Sequence, residues 1–292
     1  MLHRLIYADW ATPPESMGFE GAFGEILGRI QELLPGILAG KAAALADPAA
    51  APGAYWEACL ALYLLTPALV NVALNYKICV EQGLPLHPTY YFELSERSRF
   101  MTDYPAPVVE RAQALFLDSI ATARSIFALE AGSEGRLARY RRELPDQVPG
   151  FVYVSTQDKY TWRASDPAKI ASLASAVLKV FQPAIVVGAA HGSIMSGLIF
   201  ANLVQAPLYF VRFSMFKRND KAPILSASDM AFLEPFHAGP ALLFDEDVAK
   251  GTTLTKFSQV LSPLFQKAYT GSVLRHALSP CLPDFTGSAW SD

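Results

Sequence analysis

From Phe151 onward the sequence alternates short, uninterrupted apolar runs with segments of helical period. The order is "FVYVS", then "DPAKIASLASAVLKVF", "AIVVGAA", "SIMSGLIFANLV", "PLYFVRF", a long loop, "ALLFDED" and "TLTKFSQVLSPLF". Strands that are apolar throughout, each followed by a helix, predict an α/β fold: a parallel sheet with helices on both faces. Open sheets of this kind hold ligands beyond the carboxyl ends of their strands, where the strand order reverses. The three strand ends to inspect are therefore "GAAHGS", "RFSMFKRNDK" and "DEDVAKGTT".

The preceding part reads differently. In "FGEILGRIQELLPGILAG", "YWEACLALYLL" and "PVVERAQALFLDSIATARSIFAL" apolar residues recur at spacings of three and four, which predicts helices. "ADPAAAPGA" and "EQGLPLHPTYYFE" break them. The expected organisation is a mainly helical region over residues 1–145, forming a hood or lobe, and an α/β domain over 146–292. With 52% hydrophobic and 17% charged residues the chain can bury a large core. A net charge of −3 argues against a dedicated nucleic-acid binder, and the dense basic run "RLARYRREL" reads as a solvated helix face. The start lacks the apolar core of a signal peptide. "ACLALYLLTPALVNVAL" is interrupted by Thr66-Pro67 and Asn71, so it reads as two buried helical pieces meeting at the proline and not as a membrane span. Cys59, Cys79 and Cys281 are few and far apart, which fits reduced thiols in a cytoplasmic protein and no zinc site.

The chemistry concentrates in "LLFDEDVAKGTT". Asp245 and Glu246 end an apolar strand, and a Gly-Thr-Thr turn opens the next helix. Backbone N–H groups at a helix start, with threonine hydroxyls, make an anion cradle suited to phosphate. Adjacent carboxylates repel phosphate, so they fit sugar hydroxyls or a magnesium ion beside it. Together these features point to a sugar phosphate.

This stretch resembles the signature of the type I phosphoribosyltransferases. "PAIVVGAAHGSIMSGLIFANLVQAPLYFVR" is similar, in order and spacing, to that family's first strand, pyrophosphate loop, helix and second strand. The resemblance covers residues 150–275. It implies a phosphoribosyltransferase that uses Mg2+ and phosphoribosyl pyrophosphate (PRPP), transfers a ribosyl 5-phosphate to a small-molecule acceptor and releases pyrophosphate. Cleavage of a nucleotide or ribosyl-phosphate conjugate, and non-catalytic sensing of PRPP or a ribonucleotide, stay open beside it, and the family often forms homodimers. It implies that Asp245 and Glu246 hold the ribose hydroxyls and the ion. Ala249, Lys250, Gly251, Thr252 and Thr253 would form the phosphate loop. Ala190, His191 and Gly192 would form the pyrophosphate loop, and Arg212, Lys217, Arg218 and Lys221 the basic cover for the leaving group. Asp247 stands where an apolar residue is usual, Lys250 where threonine is, and Ala249 where some members have an acid near the acceptor. The acceptor's identity is not contained in the motif.

Other readings fit less well. "FDED" contains the Asp-x-Asp of the haloacid dehalogenases, but too late in the chain for that fold's remaining residues. No Gly-x-Ser-x-Gly elbow accompanies "AHGS", and neither GxxxxGK[ST] nor GxGxxG occurs. Tyr90, Tyr91 and Phe92 read either as a stacking surface for an acceptor ring or as a staple between the helical part and the sheet.

Overall fold

The computed structural model describes residues 1–215 and 218–291. The chain divides into two compact units, Met1–Asp9 with Pro14–Gln157, and Trp10–Pro13 with Asp158–Asp292.

The first unit is helical except for one small sheet, in which β1 (Phe19–Ala22) pairs antiparallel with β2 (Val152–Ser155). This corrects the expectation that "FVYVS" belongs to the parallel sheet. The strand is only four residues long and Val154 is exposed, so it lacks the two buried faces of a central strand. α1 (Phe23–Ala46) buries Phe23, Ile26, Leu27, Ile30, Leu34 and Ile37, a stripe at helical period. α2 (Gly53–Leu65) and α3 (Pro67–Gln82) meet at Thr66, which itself has helical backbone angles, and Pro67 occupies the first position of α3, where its missing N–H costs nothing. Together Gly53–Gln82 is long and apolar enough to cross a membrane by length and composition, and 72% of its most apolar window is buried within the protein. α3 ends at Gly83, whose φ of 65° lets Leu84 N–H return to the Cys79 carbonyl. It packs on α4 (Ala106–Ala128), where Lys77 and Glu81 form a buried pair at 2.6 Å. On α5 (Ser133–Arg142) Leu137 and Tyr140 face inward, while Arg139, Arg141 and Arg142 are solvated. Tyr90 packs on Phe92, Phe92 on Phe100 and Tyr91 on Phe151, so this aromatic run closes on the first unit's own residues.

The second unit opens with α6 (Lys159–Ala164) and α7 (Pro167–Leu178), followed by β3 (Ile185–Ala190), α8 (Ile194–Val204) and β4 (Leu208–Arg212). α9 (Ala227–Leu233), β5 (Pro240–Val248), α10 (Thr252–Leu261), β6 (Lys267–His276) and β7 (Phe285–Trp290) complete it. The five strands are parallel in the order β4-β3-β5-β6-β7. Tyr209 and Phe210 leave β4 on opposite faces: Phe232 of α9 stacks on the first, and Gly197 of α8 lies beneath the second. Helices therefore cover both faces, as the apolar strands predict. The strand order reverses between β3 and β5, because the chain leaves β3 towards β4 and leaves β5 towards β6. α6, α9, β6 and β7 were not assigned from sequence.

Candidate functional site

The carboxyl ends of β3 and β5 open into a cavity of about 450 Å³. Its lining includes His191, Gly192, Asp245, Glu246, Asp247, Ala249, Lys250, Gly251, Thr252 and Thr253. Two loops far apart in sequence thus meet at the reversal point, where such sheets place ligands.

After β3 the chain turns at His191 through a cis Ala190–His191 peptide, and Ser193 Oγ donates to the Ala189 carbonyl at 2.7 Å, which fixes the turn into α8. Gly192 faces Glu246: a Cβ at position 192 would fall 1.7 Å from Glu246 Oε1. After β5 the chain turns at Gly251, with φ of 76°, a backbone region that favours glycine. Gly251 is the N-cap of α10, and no described side chain caps that helix. Neither Thr252 nor Thr253 is spent as a cap, and Thr253 Oγ1 lies 3.9 Å from Met215 Sδ. Four backbone N–H groups begin every α-helix without intrahelical partners, so this uncapped start presents donors and the positive end of the helix dipole.

The acids carry the electrostatic character. Asp245 is 5% exposed, and Glu246 Oε2 is buried with no hydrogen-bond partner among the described residues. Burial raises the Asp245 carboxyl to about 6, and burial together with the charge of Asp245 pushes Glu246 well above the usual carboxylate range. Asp247 is raised too, by burial and then by Asp158, while its hydrogen bond from Trp290 Nε1 at 3.4 Å acts in the opposite sense. A buried carboxylate pair with an unpartnered oxygen suits a hard cation or a pair of hydroxyl donors. Among the described residues no three His, Cys, Asp or Glu side chains form a closed metal cluster.

Of the basic cover expected from sequence, the described residues Arg212, Arg218 and Lys221 do not line the cavity. Arg212 is 2% exposed and does not line it. Its Nη2 and Nε meet Asp220 at 2.9 and 3.2 Å, and Asp220 also accepts from the Ser214 N–H. The guanidinium pairs with Asp220, because a buried cation needs a close counter-charge. Lys221 is exposed and bonds Asn219, Arg218 N–H donates to the Ser214 carbonyl, and neither lines the cavity. Lys217 lies outside the described residues. Ala190 is a buried strand residue whose carbonyl accepts from Phe213 N–H.

Sequence reasoning missed Asp158, Tyr160 and Thr161, which line the cavity from the start of α6, and Phe213, Ser214 and Met215 after β4. Asp158 caps α6 through the Tyr160 and Thr161 N–H groups, a signal available in "QDKY" only once the helix is known. Cys281 packs directly on Gly251, its Cβ 2.0 Å from where a side chain at 251 would begin.

No family model matches this sequence, and a search of curated proteins returns no match. Among solved structures, purine phosphoribosyltransferase from Pyrococcus horikoshii is similar at 15% identity and a TM-score of 0.35, over 44% of this chain and 86% of that one. Xanthine-guanine-hypoxanthine phosphoribosyltransferase from Helicobacter pylori matches at 17% identity and 0.33, over 42% and 79%. Hypoxanthine phosphoribosyltransferase from Trypanosoma cruzi, complexed with its product IMP, matches at 11% and 0.34, over 46% and 75%. These structural neighbours are phosphoribosyltransferases.

Proposed function

We propose that the second unit is a phosphoribosyltransferase domain that binds PRPP at the β3–β5 cleft and transfers its ribosyl 5-phosphate to a small-molecule acceptor. The observation that carries this reading is the pairing, across one cavity, of a buried carboxylate pair with an uncapped helix start. The first suits ribose hydroxyls and a cation, and the second suits a phosphate. In the reaction the C1–oxygen bond to pyrophosphate breaks, a bond from an acceptor nitrogen or oxygen to C1 forms, and the acceptor's proton leaves to solvent. Asp245 and Glu246 hold the ribose and would hold magnesium, which when bound neutralises charge on the leaving pyrophosphate. The N–H groups at the start of α10, with Lys250, Thr252 and Thr253, hold the 5-phosphate. His191 and the Gly192 backbone stand beside the departing pyrophosphate, where donors aimed at developing charge lower the barrier.

The test is calorimetric titration of the purified protein with PRPP, with and without magnesium. The reading expects magnesium-dependent binding at about micromolar Kd, lost in the double variant Asp245→Asn with Glu246→Gln. Absence of binding to the wild type rejects it. Binding with no pyrophosphate release across a panel of nucleobases assigns the site to sensing.

A further inference from the structure

Acids predominate over lysine and arginine among the side chains that line the cavity. Among its described lining residues Asp158, Asp245, Glu246 and Asp247 are carboxylic acids, and Lys250 is the lone lysine or arginine. Asp245, Glu246 and Lys250 belong to the ribose and phosphate end described above. Asp158 and Asp247 do not, and they come from different elements. Asp247 is tied to Trp290 Nε1, and Trp290 packs 5.7 Å from Tyr160, the aromatic residue that follows Asp158 by two positions and also lines the cavity. Arg163 lies over the Trp290 ring at 5.4 Å and His276 packs edge-on against that ring at 4.8 Å, and neither lines the cavity. The result is a wall with an aromatic face, half exposed at Tyr160, flanked by two carboxylates.

We propose that this wall receives the acceptor, and that the acceptor is a flat nitrogen heterocycle carrying an amino group or a protonated nitrogen, its face on Tyr160 and its N–H donors on Asp158 and Asp247. The inference rests on the transfer reading above for the word acceptor, while the recognition chemistry rests on the wall itself. Carboxylates accept hydrogen bonds and repel anions, so the same residues that favour an amine discriminate against a carboxylate-bearing ring. The departure at position 247, an acid where the resembling family has an apolar residue, gains a purpose: it adds a second acceptor to the ring wall.

The experiment titrates the full chain by calorimetry with three probes: adenine, which has an exocyclic amine; hypoxanthine, which has a carbonyl instead; and orotate, which has a carboxylate. Each is run with and without magnesium and PRPP. Adenine is expected to bind on the order of tenfold or more tighter than either of the others. Asp247→Asn is expected to lose most of that preference while PRPP binding persists. Asp158→Asn, which retains a helix-capping side chain, gives a second variant should the first melt early. Equal or tighter binding of orotate or hypoxanthine, or a preference unmoved in both variants, overturns the inference while leaving PRPP binding intact. Failure of all three probes to bind overturns it as well. An adenine preference that depends on Asp247 in a protein that ignores PRPP keeps the ring wall and removes the transfer reading.

Discussion

Gly192 and Glu246 occupy one shared space: a Cβ on Gly192 would stand 1.7 Å from Glu246 Oε1 and 2.4 Å from its Cδ. The carboxylate reaches its place at the cleft because the loop after β3 has no side chain there. Gly192→Ala must push either the loop or the carboxylate away, and crowding of this kind costs about 1–3 kcal/mol. The expected outcome is loss of PRPP binding beyond detection by calorimetry, with a fold that still melts cooperatively. A Gly192→Ala protein that binds PRPP as the wild type does would mean that Glu246 does not serve the site.

The raised carboxyls make the stability of the ligand-free protein depend on pH. Asp245, lifted to about 6 by burial, and Glu246, lifted further by burial and by Asp245, bind protons more tightly folded than unfolded. Their contribution is therefore fully present below the unfolded carboxylate range and is lost as pH rises through the folded values. Thermal melts are expected to show a lower Tm at about pH 8 than at about pH 5, and the drop should shrink in Asp245→Asn with Glu246→Gln. Magnesium with PRPP should restore wild-type Tm at the higher pH by binding the folded state. A double variant with the same pH profile as the wild type would show that other groups set it.

Gly251 tests the phosphate loop in two ways at once. Its φ of 76° strains any other residue, and Cys281 Cβ sits 2.0 Å from a side chain placed there. Gly251→Ala is expected to lower stability by about 1–3 kcal/mol and to abolish PRPP binding. Cys281→Gly, which removes only the packing partner, is expected to leave Gly251 conformationally free and to retain binding. Rescue of Gly251→Ala by Cys281→Gly in a melt, without recovery of binding, would separate the crowding from the backbone requirement.

The legible part of the site was the part with a local cost. Charges at the end of an apolar run need a reason within a few residues, so Asp245 and Glu246 announced themselves, and the glycine turn after them followed from the helix it opens. The β3 loop was legible by order alone. The pairing of Arg212 was not legible because its partner is chosen by the path of a loop: Asp220 lies eight residues on, and nothing in "RFSMFKRNDK" tells whether its bases face a ligand or its own acid. "FVYVS" was misplaced because a four-residue strand has no periodicity to reveal which sheet it joins. Asp158, Tyr160 and Trp290 were silent for a related reason, since a wall assembled from α6, β5 and β7 exists only after all three have packed.

Arg212 therefore serves as the control that separates folding from binding. Its pair with Asp220 is buried on both sides, at 2% and 6% exposure, and it anchors the loop that follows β4. Removing one member leaves the other charge buried and alone, which costs about 3–5 kcal/mol. Arg212→Ala is expected to lower Tm by many degrees and to weaken PRPP binding only through the unfolded fraction, so that binding recovers when the titration is run well below the new Tm. A direct pyrophosphate contact predicts the reverse, a near-normal Tm with binding lost at every temperature. Asp220→Ala completes the comparison: a shared structural role gives both variants the same melting loss, whereas a catalytic arginine leaves Asp220→Ala active.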